Sequence, residues 1–264
     1  MEIIKTSTLN EKQIDDINEL EEKCSETDGD SLLVYKDEGD NIYPDFDCFY
    51  MLYEGDDLLS FLSVFQPDGY CPYVYAMTHP EHRKKGYFSQ LYECFLDELG
   101  FFKFESVSFP LSPDNTIAPD IIKSMGGFES KTEYILSYDL AKHKKNEDNT
   151  LTLTSTTNED GSITYYMQDY ALKRFKRTIG SLIITPDDKI VCLSDFEISK
   201  SKRNRGYGRT MLNLLCEDLI NKHYEKILLQ VSSTNPNAFH LYESFGFIKS
   251  SCLKYYNIDY PQKI

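Results

Sequence analysis

Hydrophobic positions along the chain follow two periods. Ile14, Ile17, Leu20 and Cys24 recur every three or four residues, which predicts one buried face of a helix, and Thr8 with Glu11 predicts a capping box at its start. A strand is expected before it, at Glu2 to Thr6. Strands at Phe49 to Tyr53, Leu58 to Phe65 and Tyr73 to Thr78 are expected after it. From Gly86 the period lengthens again, with Leu91, Phe95 and Leu99 on one helical face. A strand near Ser106 to Phe109, a helix near Ile117 to Met125 and a strand at Tyr134 to Tyr138 follow.

The second half begins differently. Strand-like segments come first, at Leu151 to Ser155, Ile163 to Gln168, Thr178 to Ile184 and Val191 to Ile198, with no opening helix among them. After Gly206, the residues Met211, Leu212, Leu215 and Leu219 share a helical face. Lys226 to Ser232 reads as a mostly buried strand, and Asn235-Pro236 opens a second helix that Gly246 ends. A last strand is expected near Cys252 to Asn257.

The two halves repeat. Sliding the chain by 120 positions brings Arg83, Gly86 and Tyr87 onto Arg203, Gly206 and Tyr207, and Ser112, Asn115 and Ala118 onto Ser232, Asn235 and Ala238. Ser124 and Gly126 fall on Ser244 and Gly246 in the same register. Two related domains are therefore expected, 1–140 and 151–264, joined by the polar stretch 141–150 (AKHKKNEDNT).

Composition narrows the function classes. The chain of 264 residues is 41% hydrophobic and 14% aromatic, enough to build real cores. A net charge of −15 argues against a nucleic-acid partner, whose backbone needs excess Lys and Arg. The sequence shows no apolar run long enough for a membrane span and no secretory leader pattern. The 7 cysteines are dispersed and form no CxxC, which reads as buried thiols in a reducing, cytoplasmic setting; no zinc site is expected.

Against that acidic background, Arg203-Asn204-Arg205-Gly206-Tyr207-Gly208-Arg209-Thr210 concentrates cations and glycines between a strand and a helix. Exposed amides at such a turn, together with the positive end of the helix, suit a pyrophosphate. A glycine pair alone is weak evidence; the placement strengthens it. The glycines lack the GxGxxG pattern of a dinucleotide fold.

Arg203-x-x-Gly206-x-Gly208 resembles the acetyl-CoA pyrophosphate loop of the GNAT superfamily of N-acyltransferases. Asn235-x-x-Ala238-x-x-Leu241-Tyr242-x-x-x-Gly246-Phe247 resembles its second signature. The resemblance covers Val191 to Phe247, and the repeat extends it to the first half. It implies an α+β fold with two mixed, mostly antiparallel sheets flanked by helices, the second copy lacking the opening helices. It implies acetyl-CoA as cofactor and a primary amine of a small molecule or peptide as acceptor; the chain's acidity permits attraction to a cationic amine or serves only to keep the protein soluble. The pantetheine arm would lie along Phe196 and Ile198, with Asn235 facing it, and Tyr242 would protonate the departing thiolate. Asp195 and Glu197, expected on one strand face, are the candidate bases. Many members carry Glu where this chain has Gln230, which cannot act as a base. A non-catalytic CoA-binding or protein-interaction scaffold of the same fold is the alternative.

The first copy departs from the pattern. Phe88 stands where Gly208 stands, Ile122 where Tyr242 stands and Met77 where Glu197 stands, so its site is expected to be degenerate. The acidic stretch from Asp28 to Asp47, with Asp37, Glu38 and Asp40 beside Tyr35, Tyr43 and Phe46, reads either as a solvated acidic loop with no ligand or as a wall for a cationic acceptor.

Overall fold

The computed structural model describes residues 1–28, 33–37, 41–144, 151–171 and 175–260. The chain forms two compact units, Met1–Thr132 with Leu253–Ile264, and Glu133–Cys252. The first runs β1 (Glu2–Thr6), α1 (Glu11–Asp28), β2 (Phe49–Glu54), β3 (Asp57–Phe65), β4 (Tyr73–Thr78), α2 (Tyr87–Leu99), β5 (Ser106–Leu111) and α3 (Ala118–Ser124). Next comes β6 (Phe128–Asp139), whose residues from Glu133 onward belong to the second unit. That unit continues with β7 (Thr152–Thr157), β8 (Ile163–Ala171), β9 (Phe175–Asp187), β10 (Ile190–Ile198), α4 (Tyr207–Asn221), β11 (Lys226–Ser232) and α5 (Pro236–Phe245). The last strand, β12 (Ile248–Asp259), returns to the first unit from Leu253.

The strand order is β1-β2-β3-β4-β5-β12 in the first unit and β7-β8-β9-β10-β11-β6 in the second. The two orders are equivalent position by position. Pairing is antiparallel except for β4 with β5 and β10 with β11. The expected contiguous division at 141–150 differs from these units for a physical reason. Each repeat's last strand pairs within the other repeat's sheet: Lys226 to Ser232 with Asp139 to Glu133, and Ser106 to Leu111 with Asp259 to Lys254. A polar linker signals where chain is exposed, not where a strand finds its partner. Residues 145–150 of that linker lie outside the described residues.

The repeat register is kept in three dimensions. β6 and β12 start and end 120 residues apart, as do the one-turn 3₁₀ segments Pro80–His82 and Lys200–Lys202. Lys84 and Asn204 have φ of 63° and 58°, and Gly86 and Gly206 share a φ of 82°. Asn115 and Asn235 each accept a hydrogen bond from the amide three residues on, at Ala118 and Ala238.

The units differ in how their sheets are covered. In the first, β2 and β3 are buried at consecutive positions, so both faces are packed, with α1 and α2 the helices against them. Ile17, Leu20 and Cys24 anchor α1 as expected. Its cap lies two residues beyond the expected box: Asn10 accepts from the Gln13 amide at 2.9 Å while Gln13 accepts from the Asn10 amide at 3.0 Å. In the second unit β11 alternates, with Ile227, Leu229 and Val231 buried and Lys226 and Gln230 exposed. One face packs against Met211, Leu212, Leu215, Cys216 and Leu219 of α4; among the described residues no α-helix stands between β6 and β7. The cysteines are free thiols. Cys24, Cys48 and Cys216 are buried, but Cys192 is exposed, because it lies on the open face of β10. No helix among the described residues is long and apolar enough to cross a membrane.

Candidate active site

β10 and β11 run side by side only from Ile190 to Leu193 and from Lys226 to Leu229; beyond these rungs their ladder ends. On the other edge of β10 the pairing with β9 slips between Ser194 and Glu197, and Asp195 sits in the slip with a φ of 48°. This is a β-bulge, which re-aims a strand by one residue. The face that carried Val191 and Leu193 inward is continued by Phe196 and Ile198, while Asp195 and Glu197 are exposed. The uninterrupted alternation expected for Asp195 and Glu197 is therefore broken. Glu197 pairs with Arg203 at 3.0 Å, both side chains being largely exposed.

Gly180 fixes this part of β10 from the neighbouring strand. It lies opposite Ile198, and a Cβ there would sit 2.5 Å from Ile198 Cδ1 and 2.7 Å from the Glu197 carbonyl oxygen. Sequence reasoning passed over Gly180, since an isolated glycine in a strand signals a close approach without naming what approaches.

From Ile198 the chain turns through the 3₁₀ segment into α4. Arg203 donates through Nε to the Ile198 carbonyl at 2.8 Å, tying the loop to the end of the strand. Among the described residues, the amides of Asn204 to Arg209 donate to nothing in the chain; Thr210 is the first to find a carbonyl, that of Gly206, at 3.0 Å. Helix starts leave such donors open, and the helix dipole adds positive potential there. Gly206 takes the left-handed conformation, with nothing within 4 Å of where its Cβ would be. Gly208 has a different reason: its Cβ would lie 2.9 Å from Leu241 Cδ2, so its smallness lets α4 and α5 approach.

The other loop residues are distributed rather than gathered. Arg205 is exposed, and Lys202 lies over the Tyr207 ring at 5.7 Å. Thr210 Oγ1 bonds back to the Gly206 carbonyl at 3.3 Å. Arg209 reaches away from the loop, donating to the Ser244 carbonyl at 2.6 Å at the end of α5. Asn235 uses its side-chain oxygen to cap α5 through the Ala238 amide at 3.2 Å.

Tyr242 projects from α5 into the core beside the loop. It is 6% exposed, with its ring 6.2 Å from Phe196 and 5.4 Å from Phe247. Burial alone pushes its phenol up to about 12, so it holds its proton at neutral pH. Gln230 sits on the first rung of β11 past the end of the β10 ladder, and its amide donates to the Glu133 carboxylate on β6. That carboxylate was invisible to sequence reasoning, because β6 belongs by sequence to the other repeat.

In the first unit, Arg83 repeats the strand-end contact, through Nε to the Thr78 carbonyl at 3.1 Å, but its guanidinium is clasped by Asp28 at 2.9 and 2.5 Å. Phe88 stacks on Tyr92. The rings of the candidate acceptor wall are used internally: Phe46 is 1% exposed, Tyr35 packs on Phe65 and Tyr75, and Tyr43 packs on Phe102. Lys36 bonds Asn18 and Glu21 of α1. Glu38 and Asp40 lie outside the described residues.

Residues 134–247 match the Acetyltransferase (GNAT) family. No curated protein matches the sequence significantly. Among solved structures, a GCN5-related N-acetyltransferase from Sphaerobacter thermophilus superposes with a TM-score of 0.65 at 12% identity, over 97% of this chain and 95% of that one. A tandem GNAT protein from the clavulanic acid biosynthesis pathway gives 0.64 at 12% identity, over 99% of both chains. A GCN5-related N-acetyltransferase from Kribbella flavida gives 0.54 at 11% identity, over 97% of this chain and 70% of that one. At such identities the likeness speaks for the fold; the sequence match places a GNAT-family acetyltransferase domain at residues 134–247.

Proposed function

We propose that the protein transfers an acetyl group from acetyl-CoA to a primary amine, using the second unit as its catalytic centre. The observation that carries this reading is the run of open amides from Asn204 to Arg209 at the start of α4, beside the point where β10 and β11 part. The amides and Arg205 would hold the pyrophosphate. The bulged segment from Ser194 to Ile198 would offer its backbone to the pantetheine arm, with Asn235 nearby. The bound CoA ester supplies the activated acyl group; the chain's own residues orient it and move protons. Tyr242 is protonated at the pH of reaction and donates to the leaving sulfur, which is what a phenol raised to about 12 can do without first being charged. Arg203, anchored to Ile198 and Glu197, holds the loop in shape rather than reaching for phosphate.

The test is calorimetric titration with acetyl-CoA, followed by a thiol-release assay over polyamines, aminoglycosides, amino acids and peptides. Micromolar binding and amine-dependent thiol release are expected. Binding without release for any amine would favour the non-catalytic scaffold, and no binding would overturn the reading.

A further inference from the structure

We infer that Arg209 is a positioning residue for Tyr242: its side chain clamps α5 to the first turn of α4, so the turn proposed to take the pyrophosphate also sets where the phenol points. This rests on the acetyl-transfer reading above and deepens it.

Tyr242 has little of its own to aim it. Its ring packs 6.2 Å from Phe196 and 5.4 Å from Phe247, and among the described residues its hydroxyl has no hydrogen-bond partner. The placement of α5 therefore aims the hydroxyl. That helix has only 10 residues. Its start is fixed by the Asn235 cap, through the Ala238 amide at 3.2 Å. Its end is fixed by Arg209, which donates to the Ser244 carbonyl at 2.6 Å and to Ser244 Oγ at 3.2 Å, with the guanidinium over the Phe245 ring at 5.7 Å. A carbonyl in the last turn of a helix lacks an intrahelical partner, and a cation there also meets the negative end of the helix dipole. Gly208 adds a contact of shape, since a Cβ there would stand 2.9 Å from Leu241 Cδ2. Two consecutive residues of α4 thus hold Leu241, Ser244 and Phe245, which flank Tyr242 in sequence. The Arg209 amide stays among the open donors of the loop while its side chain reaches the other helix. A rotation of α5 by about 10° would carry a tyrosine hydroxyl through roughly 1 Å, and a misplacement of about 1 Å can cost about 100-fold in rate.

The first repeat supplies the contrast. At the offset of 120 residues, Ile122 stands for Tyr242 and Ser89 for Arg209, so the phenol and the clamp are lost together. The receiving end is kept. Ser124 stands for Ser244, and its Oγ donates to the Ile121 carbonyl at 2.7 Å, as Ser244 Oγ does to the Leu241 carbonyl at 3.0 Å.

The step that Arg209 serves balances. The amine nitrogen bonds to the carbonyl carbon and loses a proton to water. The carbon–sulfur bond breaks with its electron pair on sulfur, the sulfur takes the Tyr242 proton, and the phenolate regains one from water.

The experiment uses the full chain with Arg209→Gln, Arg209→Lys, Tyr242→Phe and the double variant Arg209→Gln with Tyr242→Phe. Each is assayed for thiol release from acetyl-CoA, with the amine panel and with water as acceptor, and titrated with CoA by calorimetry. Arg209→Gln is expected to lower kcat by about 10-fold with CoA affinity kept within about twofold. Arg209→Lys keeps an N–H donor for the Ser244 carbonyl and is expected to stay within about threefold of wild type. In the Tyr242→Phe background, Arg209→Gln is expected to change kcat by less than about twofold, because the clamp acts only through the lost hydroxyl. Wild-type turnover in Arg209→Gln would overturn the inference. So would an equal loss in both backgrounds, or a lysine variant no better than glutamine. A CoA affinity weakened by about 10-fold or more in Arg209→Gln would make Arg209 a phosphate ligand instead. A wild-type protein that binds CoA but releases no thiol would overturn the acetyl-transfer reading, and this inference with it.

Discussion

Gly180 on β9 and Glu197 on β10 approach so closely that a methyl group on Gly180 would stand 2.7 Å from the Glu197 carbonyl oxygen. That oxygen is backbone and cannot rotate away as a side-chain tip would. Gly180→Ala is therefore expected to lower stability by about 1–3 kcal/mol, as overpacking does. It should also weaken CoA binding, since the strand that must move is the bulged one. Denaturant unfolding and calorimetry on the same variant check both effects; an unchanged midpoint would show that β10 yields freely.

Gly206 is the contrasting glycine. It needs its left-handed φ of 82°, yet a Cβ there would touch nothing. Gly206→Ala should cost only about 1–2 kcal/mol of backbone strain. Gly206→Asp should cost about the same in stability but bring a negative charge to the open amides, abolishing CoA binding by calorimetry. Equal CoA affinities for the two variants would place the phosphates elsewhere.

Tyr242→Phe should reduce kcat by about 10- to 100-fold while leaving CoA affinity close to wild type, because the hydroxyl acts only as sulfur leaves. Packing against Phe196 and Phe247 is kept in the variant. A normal rate on an accepted amine would make Tyr242 a packing residue.

Alkaline pH should unfold the protein in a particular window. Burial raises Tyr242 and Tyr92 to about 12, against 10 for an ordinary phenol. Below pH 10 both states keep these protons and the two phenols leave stability unaffected. Between about 10 and 12 the unfolded chain ionises first, so stability falls as pH rises. The buried thiol of Cys216 is likewise raised, from 9 to about 12, so urea midpoints measured from pH 7 to 11.5 should begin to decline near 9 and steepen above 10; midpoints flat to pH 11.5 would show that these groups ionise freely in the folded protein.

The repeat and most elements were legible because period and glycine placement report local conformation. The offset of 120 residues holds in β6 and β12 to the residue. The segment Lys226 to Ser232 is the same in pattern and in structure. What sequence missed is long-range or single-residue. Thr8 and Glu11 fit a capping box as well as Asn10 and Gln13 do, and only the observed helix start separates them. The bulge at Asp195 breaks an alternation that the letters alone continue. Gly208 looked like a ligand glycine and is explained by Leu241. Glu133 could not be joined to Gln230 while β6 was counted with its own repeat.

The crossing of β6 and β12 sets an order on biosynthesis. Ser108 of β5 hydrogen-bonds Asn257 of β12 at 2.8 Å, across 149 residues of chain. Domains commonly fold as they leave the ribosome, N-terminal part first. Here the N-terminal unit waits for its edge strand until residues 254–259 have been made, and until then β5 presents unpaired backbone to its surroundings. The second unit already has β6 in hand when β11 emerges. The unit proposed to carry the chemistry can thus close first, and the unit translated first is the one completed last.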